Sequence, residues 1–173
     1  MGALEIESDK LVTRSIIAEP ISSEAFAVYG QVIAAGEDGK RFDETDAQLD
    51  LSAGTPRFYI MRLEAKGRGF DRITRHGRCT QCLGSLNGRD WWIGVAPPDE
   101  TSEEPDRDLL RVFKVPGDCF IKLDRGTWHA GPYFEGEPID FYNLELSDTN
   151  EIDHFTHVFS ARDRCRYEIV DAD

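Results

Sequence analysis

Residues 70–96 read FDRITRHGRCTQCLGSLNGRDWWIGVA. Three short runs rich in β-branched or aromatic residues alternate there with glycine corners. Phe70–His76, Cys79–Leu86 and Trp91–Ala96 are predicted strands, divided by Gly77 and Gly88 and ended by Pro97-Pro98. The pattern continues in both directions. Arg57–Glu64 precedes it, and Leu110–Val115, Cys119–Leu123, Thr127–Phe134, Ile139–Leu146, Phe155–Phe159 and Arg166–Val170 follow. Short strands at near-regular spacing predict an all-β sandwich or barrel.

The flanks carry less regular structure. Pro20 precedes the cap candidates Ser22 and Ser23, a short helix over Glu24–Tyr29, and Gly30 where a helix C′ residue would stand. Residues 34–54 lack a sustained period and read as a long surface loop with a short strand near Arg41-Phe42. Asp99–Asp108 holds six carboxylates, one Arg and Pro105, and reads as a solvated connection. The expectation is a single domain over 1–173, with 1–18 and 160–173 at its periphery.

At 173 residues with 40% apolar content, the chain is long enough to bury a core. Lys and Arg number 20 against 33 Asp and Glu, a formal charge of −13. That field repels phosphate backbones and anionic lipid, so nucleic acid and membrane partners are set aside. A small anionic substrate needs local Arg or Lys to overcome it. No apolar run approaches the ~20 residues of a membrane span. Glu5, Glu7 and Asp9 do not suit a targeting signal, and Ile6 stands where a myristoylation motif after Gly2 wants Ser or Thr. The expected compartment is the cytoplasm. Cys79 and Cys82 form a CxxC, but no second pair follows, and residues three apart on a strand point to opposite faces. They read as buried free thiols.

Two pieces of sequence carry chemistry together. One runs His76, Gln81, Gly88; the other is Gly117-Asp118 followed by Gly126-Thr127-Trp128-His129. Both resemble the paired motifs of the cupin superfamily, which implies a double-stranded β-helix barrel with a short N-terminal helix. Thr74 stands where the first His of the usual pair would be, and Gln81 replaces the usual Glu. A divalent metal held by His76, Gln81 and His129 would have two imidazoles and one neutral amide. That is a poor set for Zn²⁺ and a modest one for Mn²⁺ or Fe²⁺. Taken singly, each His reads better as a hydrogen-bonded structural imidazole; their joint placement at motif spacing is what points to a site.

Strand alternation adds candidates. Phe141, Asn143 and Glu145 share one face of Ile139–Leu146, facing either solvent or a polar cavity; in a cavity, Glu145 would be a general acid or base. Arg72 shares the parity of Thr74 and His76 and would fork onto a substrate carboxylate. Lys122 and Arg125 are weaker candidates for that task. His154 and His157 would be either metal ligands on a loop or an exposed strand start, and the second reading is the plainer.

Beyond these motifs, the chain resembles the ureidoglycolate lyase (ureidoglycolate hydrolase) family. The resemblance rests on Pro20–Ile33, Arg75-His76, Thr80-Gln81 and Arg125–His129, and spans about residues 19–146. It implies elimination of urea from (S)-ureidoglycolate to give glyoxylate, in allantoin and purine catabolism. On that reading His129 or Glu145 is the base, His76 and Gln81 polarise the nascent carbonyl, and Arg72 binds the carboxylate, with Thr74 and Asn143 also contacting substrate. The alternatives are a cupin that binds or acts on another small hydroxy acid or sugar derivative without lyase activity, and an Fe²⁺ or Mn²⁺ oxygenase or isomerase. A homodimer paired through an edge sheet or through the N-terminal segment is the expected assembly.

Overall fold

The computed structural model describes residues 10–173; the reading of Gly2–Asp9 lies outside them. In chain order the elements are β1 (Val12–Pro20), α1 (Ser23–Phe26), β2 (Gly30–Ala34), β3 (Pro56–Leu63), β4 (Gly69–Phe70), β5 (Arg72–Arg75), β6 (Gln81–Ser85), β7 (Gly88–Ala96), β8 (Arg111–Gly117), β9 (Cys119–Leu123), β10 (Trp128–Tyr133), β11 (Ile139–Leu146), α2 (Thr149–Ile152), β12 (Phe155–Val158), α3 (Phe159–Arg162) and β13 (Cys165–Asp171). They build an eight-stranded sheet, ordered β12-β5-β10-β7-β8-β1-β13-β4, and a five-stranded sheet, β2-β9-β6-β11-β3. The two curl into the expected cupin-type barrel.

The unbroken apolar run Trp91–Ala96 shows why two layers form. Trp91, Ile93 and Val95 enter one core cluster with Phe113, Phe134 and Phe141. Trp92 and Ala96 enter another with Phe70, Trp128, Phe159 and Tyr167 on the opposite face of β7. A strand covered on both faces has no polar side to present, and so loses the alternation of a half-exposed strand.

At the first corner, Ser22 caps α1 by accepting from the Ala25 N–H at 3.1 Å. The helix is a single turn, shorter than Glu24–Tyr29, and it buries Phe26 edge-on against Phe113 with ring centroids 5.4 Å apart. Gly30 is the first residue of β2 rather than a helix C′ residue. A Cβ there would lie 1.8 Å from the Lys122 carbonyl oxygen, so close pairing of β2 with β9 requires glycine.

The chain ends depart from expectation. Residues 12–18 and 165–171 pair in parallel, and β1 also pairs with β8. These segments, expected at the periphery, lie inside the larger sheet, because the ladder satisfies their backbone groups. Among the described residues, no helix is long and apolar enough to cross a membrane.

Candidate active site

A cavity of about 520 Å³ lies within the barrel. Register decides what lines it. Asn143 on β11 pairs with Tyr59 on β3 and Leu83 on β6, while His129 on β10 stands opposite Thr74 on β5. Strand alternation turns Asn143 and Glu145 inward with Phe141; all three are at most 3% exposed. The polar face of β11 is therefore cavity wall, not solvent face. Thr74, His76, Gln81, His129, Asn143 and Glu145 all line the cavity, so the structure brings together six of the sequence-selected residues.

Gln81, Asn143, Glu145 and Tyr59 form a connected polar network. Gln81 Nε2 donates to Asn143 Oδ1 at 3.0 Å and to Glu145 Oε2 at 3.2 Å. Asn143 Nδ2 donates to the Tyr59 hydroxyl at 3.1 Å, which donates in turn to Glu145 Oε1 at 3.2 Å. Asn150, just inside α2, donates to the same Oε1 at 3.4 Å. The Gln81 carbonyl oxygen is buried and finds no hydrogen-bond partner among the described residues.

The imidazoles stand beside this network. His76 and His129 have ring centroids 4.9 Å apart, and His154 lies 5.6 Å from His76. His76 Nδ1 is 2.5 Å from the Asp153 carbonyl oxygen, while the Asp153 carboxylate accepts from the backbone N–H groups of Gly77 and Arg78 at 2.8 and 2.9 Å. Burial lowers the His76 pKa, against smaller opposing effects from Asp153 and Glu145. Burial, reinforced by His76, lowers that of His129 to about 3. Both imidazoles are thus biased towards the neutral form.

The expectation for Lys122 needs correction, and all three candidate cations already have partners. Lys122 does not reach the cavity. It lies beside Cys82 on the outer face of the five-stranded sheet, because Ile121 and Leu123 take the core side, and its ammonium contacts Asp124. Arg72 reaches the wall, but its Nε is paired with Asp71 at 2.9 Å and its side chain is mostly exposed. Arg125 is held by Asp50 and the Gly77 carbonyl.

The two late histidines separate. His157 is buried and bonded to Asp163 at 2.7 Å, a structural pair rather than an exposed strand start. His154 is exposed, yet lines the cavity. Cys79 and Cys82 are free and buried as expected, and burial pushes the Cys82 thiol up to about 11.

Sequence reasoning missed Tyr59, Lys66, Asn150 and Asp153. The alternation of Arg57–Glu64 contained Tyr59, but its partner depends on register. Lys66 lies on the β3–β4 loop at the cavity wall, and among the described residues no ion pair engages it. A metal of the kind the cupin motifs suggest does not fit the donors. Among the described residues, no three His, Cys, Asp or Glu side chains come together to hold one. His76, His129 and the Gln81 carbonyl would offer two imidazoles and a neutral amide, a weak set.

A cupin-type barrel with imidazoles, a carboxylate and carboxamides converging in its mouth is the frame of a small-molecule enzyme. The ureidoglycolate lyase family profile matches residues 13–162, and the chain belongs to that family. The match runs beyond the 19–146 read from motifs and includes Asp153 and His154. Ureidoglycolate lyase of Pseudomonas fluorescens (strain Pf-5) is 27% identical over 163 residues, covering 82% of this chain and 92% of that protein. The Chelativorans sp. (strain BNC1) ureidoglycolate lyase is 28% identical over 156 residues, with the same coverage of 82% and 92%. Among solved structures, oxalate decarboxylase from Bacillus subtilis aligns at a TM-score of 0.39 and 17% identity; the match covers 75% of this chain and 28% of that one.

Proposed function

We propose that this protein eliminates urea from ureidoglycolate to give glyoxylate. The observation that carries the reading is a neutral imidazole with one proton pinned, set beside a carboxylate–carboxamide network in a chain of this family. A carbonyl oxygen can only accept, so His76 Nδ1 carries the proton it gives to Asp153. Its Nε2 is left with a lone pair for a ligand in the cavity.

The reaction needs one proton moved. As the carbinol C–O bond becomes a carbonyl, the hydroxyl proton leaves, the C–N bond breaks, and the departing urea nitrogen takes a proton. His76 Nε2 accepts the hydroxyl proton and the same imidazolium returns it to nitrogen, so no net proton crosses the site. His129, held at about 3, is too weak a base for that step. Glu145 is engaged by Tyr59, Asn150 and Gln81. The base role therefore moves from the pair first considered to His76, while His129 and Thr74 bound the reacting centre.

The substrate carboxylate falls to Lys66, a cavity-wall cation that has no carboxylate partner among the described residues. We take the enzyme to be cytoplasmic and homodimeric. Phe58 and Ile60 on β3, 71% and 61% exposed, offer an apolar face to a second copy. Sedimentation as a monomer would remove that last element alone.

The test is incubation with racemic ureidoglycolate, following glyoxylate, urea and ammonia. Equal release of glyoxylate and urea, lost in His76→Ala, is the expected result. Ammonia in place of urea, or no turnover, would overturn the reading. A parallel arm with chelator and with added Mn²⁺ or Fe²⁺ reads any dependence on metal.

A further inference from the structure

The orientation of the polar network is forced by one charged group. The Glu145 carboxylate can only accept, so each side chain that touches it must present a donor. Gln81 meets it through Nε2. The flipped amide would set a carbonyl oxygen against the carboxylate and also against Asn143 Oδ1. Tyr59 must aim its hydroxyl proton at Oε1, which makes the phenolic oxygen an acceptor for Asn143 Nδ2.

The consequence lies at the Gln81 carbonyl. Both Nε2 protons are engaged by Asn143 and Glu145, and the carbonyl oxygen is buried without a partner among the described residues. Gln81 is 6% exposed and lines the cavity. An orphaned buried acceptor costs free energy that a ligand N–H recovers. Glu145 Oε2 takes one hydrogen bond from Gln81 and retains capacity for another. These two acceptors rise from neighbouring strands, β6 and β11, at one end of the cavity.

We infer that this end of the cavity recognises planar groups rich in N–H donors, and that it holds guanidinium as well as urea. Urea presents two N–H groups in one plane. Guanidinium presents the same fork with a positive charge, which Glu145 favours. A carboxylate, having no donors, is turned away from this end and towards Lys66. The inference rests on the cavity being the urea-eliminating site, and it fixes how the substrate lies there, with the nitrogen end against Gln81 and Glu145 and the carboxylate at the loop.

The test needs binding rather than turnover. The ¹⁵N-labelled protein is titrated with urea, guanidinium chloride, tetramethylurea and tetramethylguanidinium chloride below denaturing concentrations, following the side-chain amides of Gln81 and Asn143. Urea and guanidinium should shift both signals, with guanidinium binding more tightly, and each methylated counterpart should bind about tenfold more weakly or worse. Gln81→Met should abolish the preference for N–H over N-methyl groups. Tyr59→Phe, which removes one donor from Glu145 Oε1 and leaves Asn150 on it, should preserve it and serves if Gln81→Met does not fold. Equal shifts from parent and methylated compounds, or none from any of them, would overturn the inference. If the preference holds but ureidoglycolate is not turned over, the lyase reading fails and the donor-recognising site stands.

Discussion

His76 gives its Nδ1 proton to the backbone carbonyl of Asp153 across 2.5 Å. The bond joins the turn after β5 to the segment between α2 and β12, more than seventy residues along the chain. It fixes the tautomer, and burial lowers the pKa, so the cavity-facing nitrogen is unprotonated at neutral pH. A group acting as base works above its pKa. The acidic limb of kcat/KM should therefore fall below the ~6.5 of an ordinary imidazole. Activity should persist through mildly acidic pH and be lost only on further acidification. His76→Gln should lower kcat by about 10²–10⁴-fold. A limb at or above the ordinary value, measured across a full pH profile, would remove His76 from this role.

The Asp153 carboxylate tests the same clamp without touching substrate. It binds two consecutive backbone N–H groups, Gly77 and Arg78. Asp153→Ala leaves the carbonyl that meets His76 but frees the turn that carries it. Small misplacements of a reacting group cost up to about 10²-fold. The expected result is a fall of about tenfold or more in kcat with KM little changed, partly rescued in Asp153→Asn, which keeps one acceptor. A pure loss of thermal stability with kcat intact would assign Asp153 to folding alone.

Much of this barrel was legible in the chain because its strands are short apolar or alternating runs bounded by glycine and proline. Ile139–Leu146 is β11 as read, and its inward set of Phe141, Asn143 and Glu145 follows from period two. The limits are equally physical. Val12–Pro20 carries Arg14, Ser15 and Glu19 and has no clean alternation; its strand character comes from parallel pairing with β13 and β8, which no local pattern encodes. Phe70–His76 reads as one strand, yet Asp71 divides it into β4 and β5, which pair with β13 and with β10 and β12. Lys122 and Gln81 are neighbours in the β6–β9 region, but a one-residue change of parity puts one outside the barrel and the other inside. Asp153 and His154 look like the start of an exposed strand until α2 folds them over the mouth.

His129 gives a prediction about stability. Its folded pKa is depressed to about 3, far below the ~6.5 of an unfolded imidazole. Between those values the unfolded chain binds a proton that the folded chain refuses, so acidification favours unfolding. The His129 contribution to stability is present above about pH 6.5 and is lost progressively towards pH 3. Denaturant midpoints measured from pH 7 to pH 4 should fall in the wild type. The fall should be shallower in His129→Gln, which has no proton to take up. Parallel pH profiles for the two proteins would show that His129 does not resist protonation in the folded state.

Lys66 and Arg72 separate two ways of holding an anion. Both line the cavity, but Arg72 is already paired with Asp71, and Asp71 is further bound by Ser160 at 2.7 Å. Recruiting Arg72 would break an existing ion pair, whereas recruiting Lys66 breaks none among the described residues. In a chain of formal charge −13, an anion gains most from a cation with no competing carboxylate. Lys66→Met should raise KM for ureidoglycolate by about fivefold to tenfold, modest because the ammonium is solvent-exposed, with kcat unchanged. Arg72→Gln should alter KM by less than about twofold. Raising ionic strength should weaken substrate binding in the wild type and in Arg72→Gln but have little effect in Lys66→Met. The reverse ranking of the two variants in steady-state kinetics would return the carboxylate to Arg72 and require the Asp71 pair to open when substrate binds.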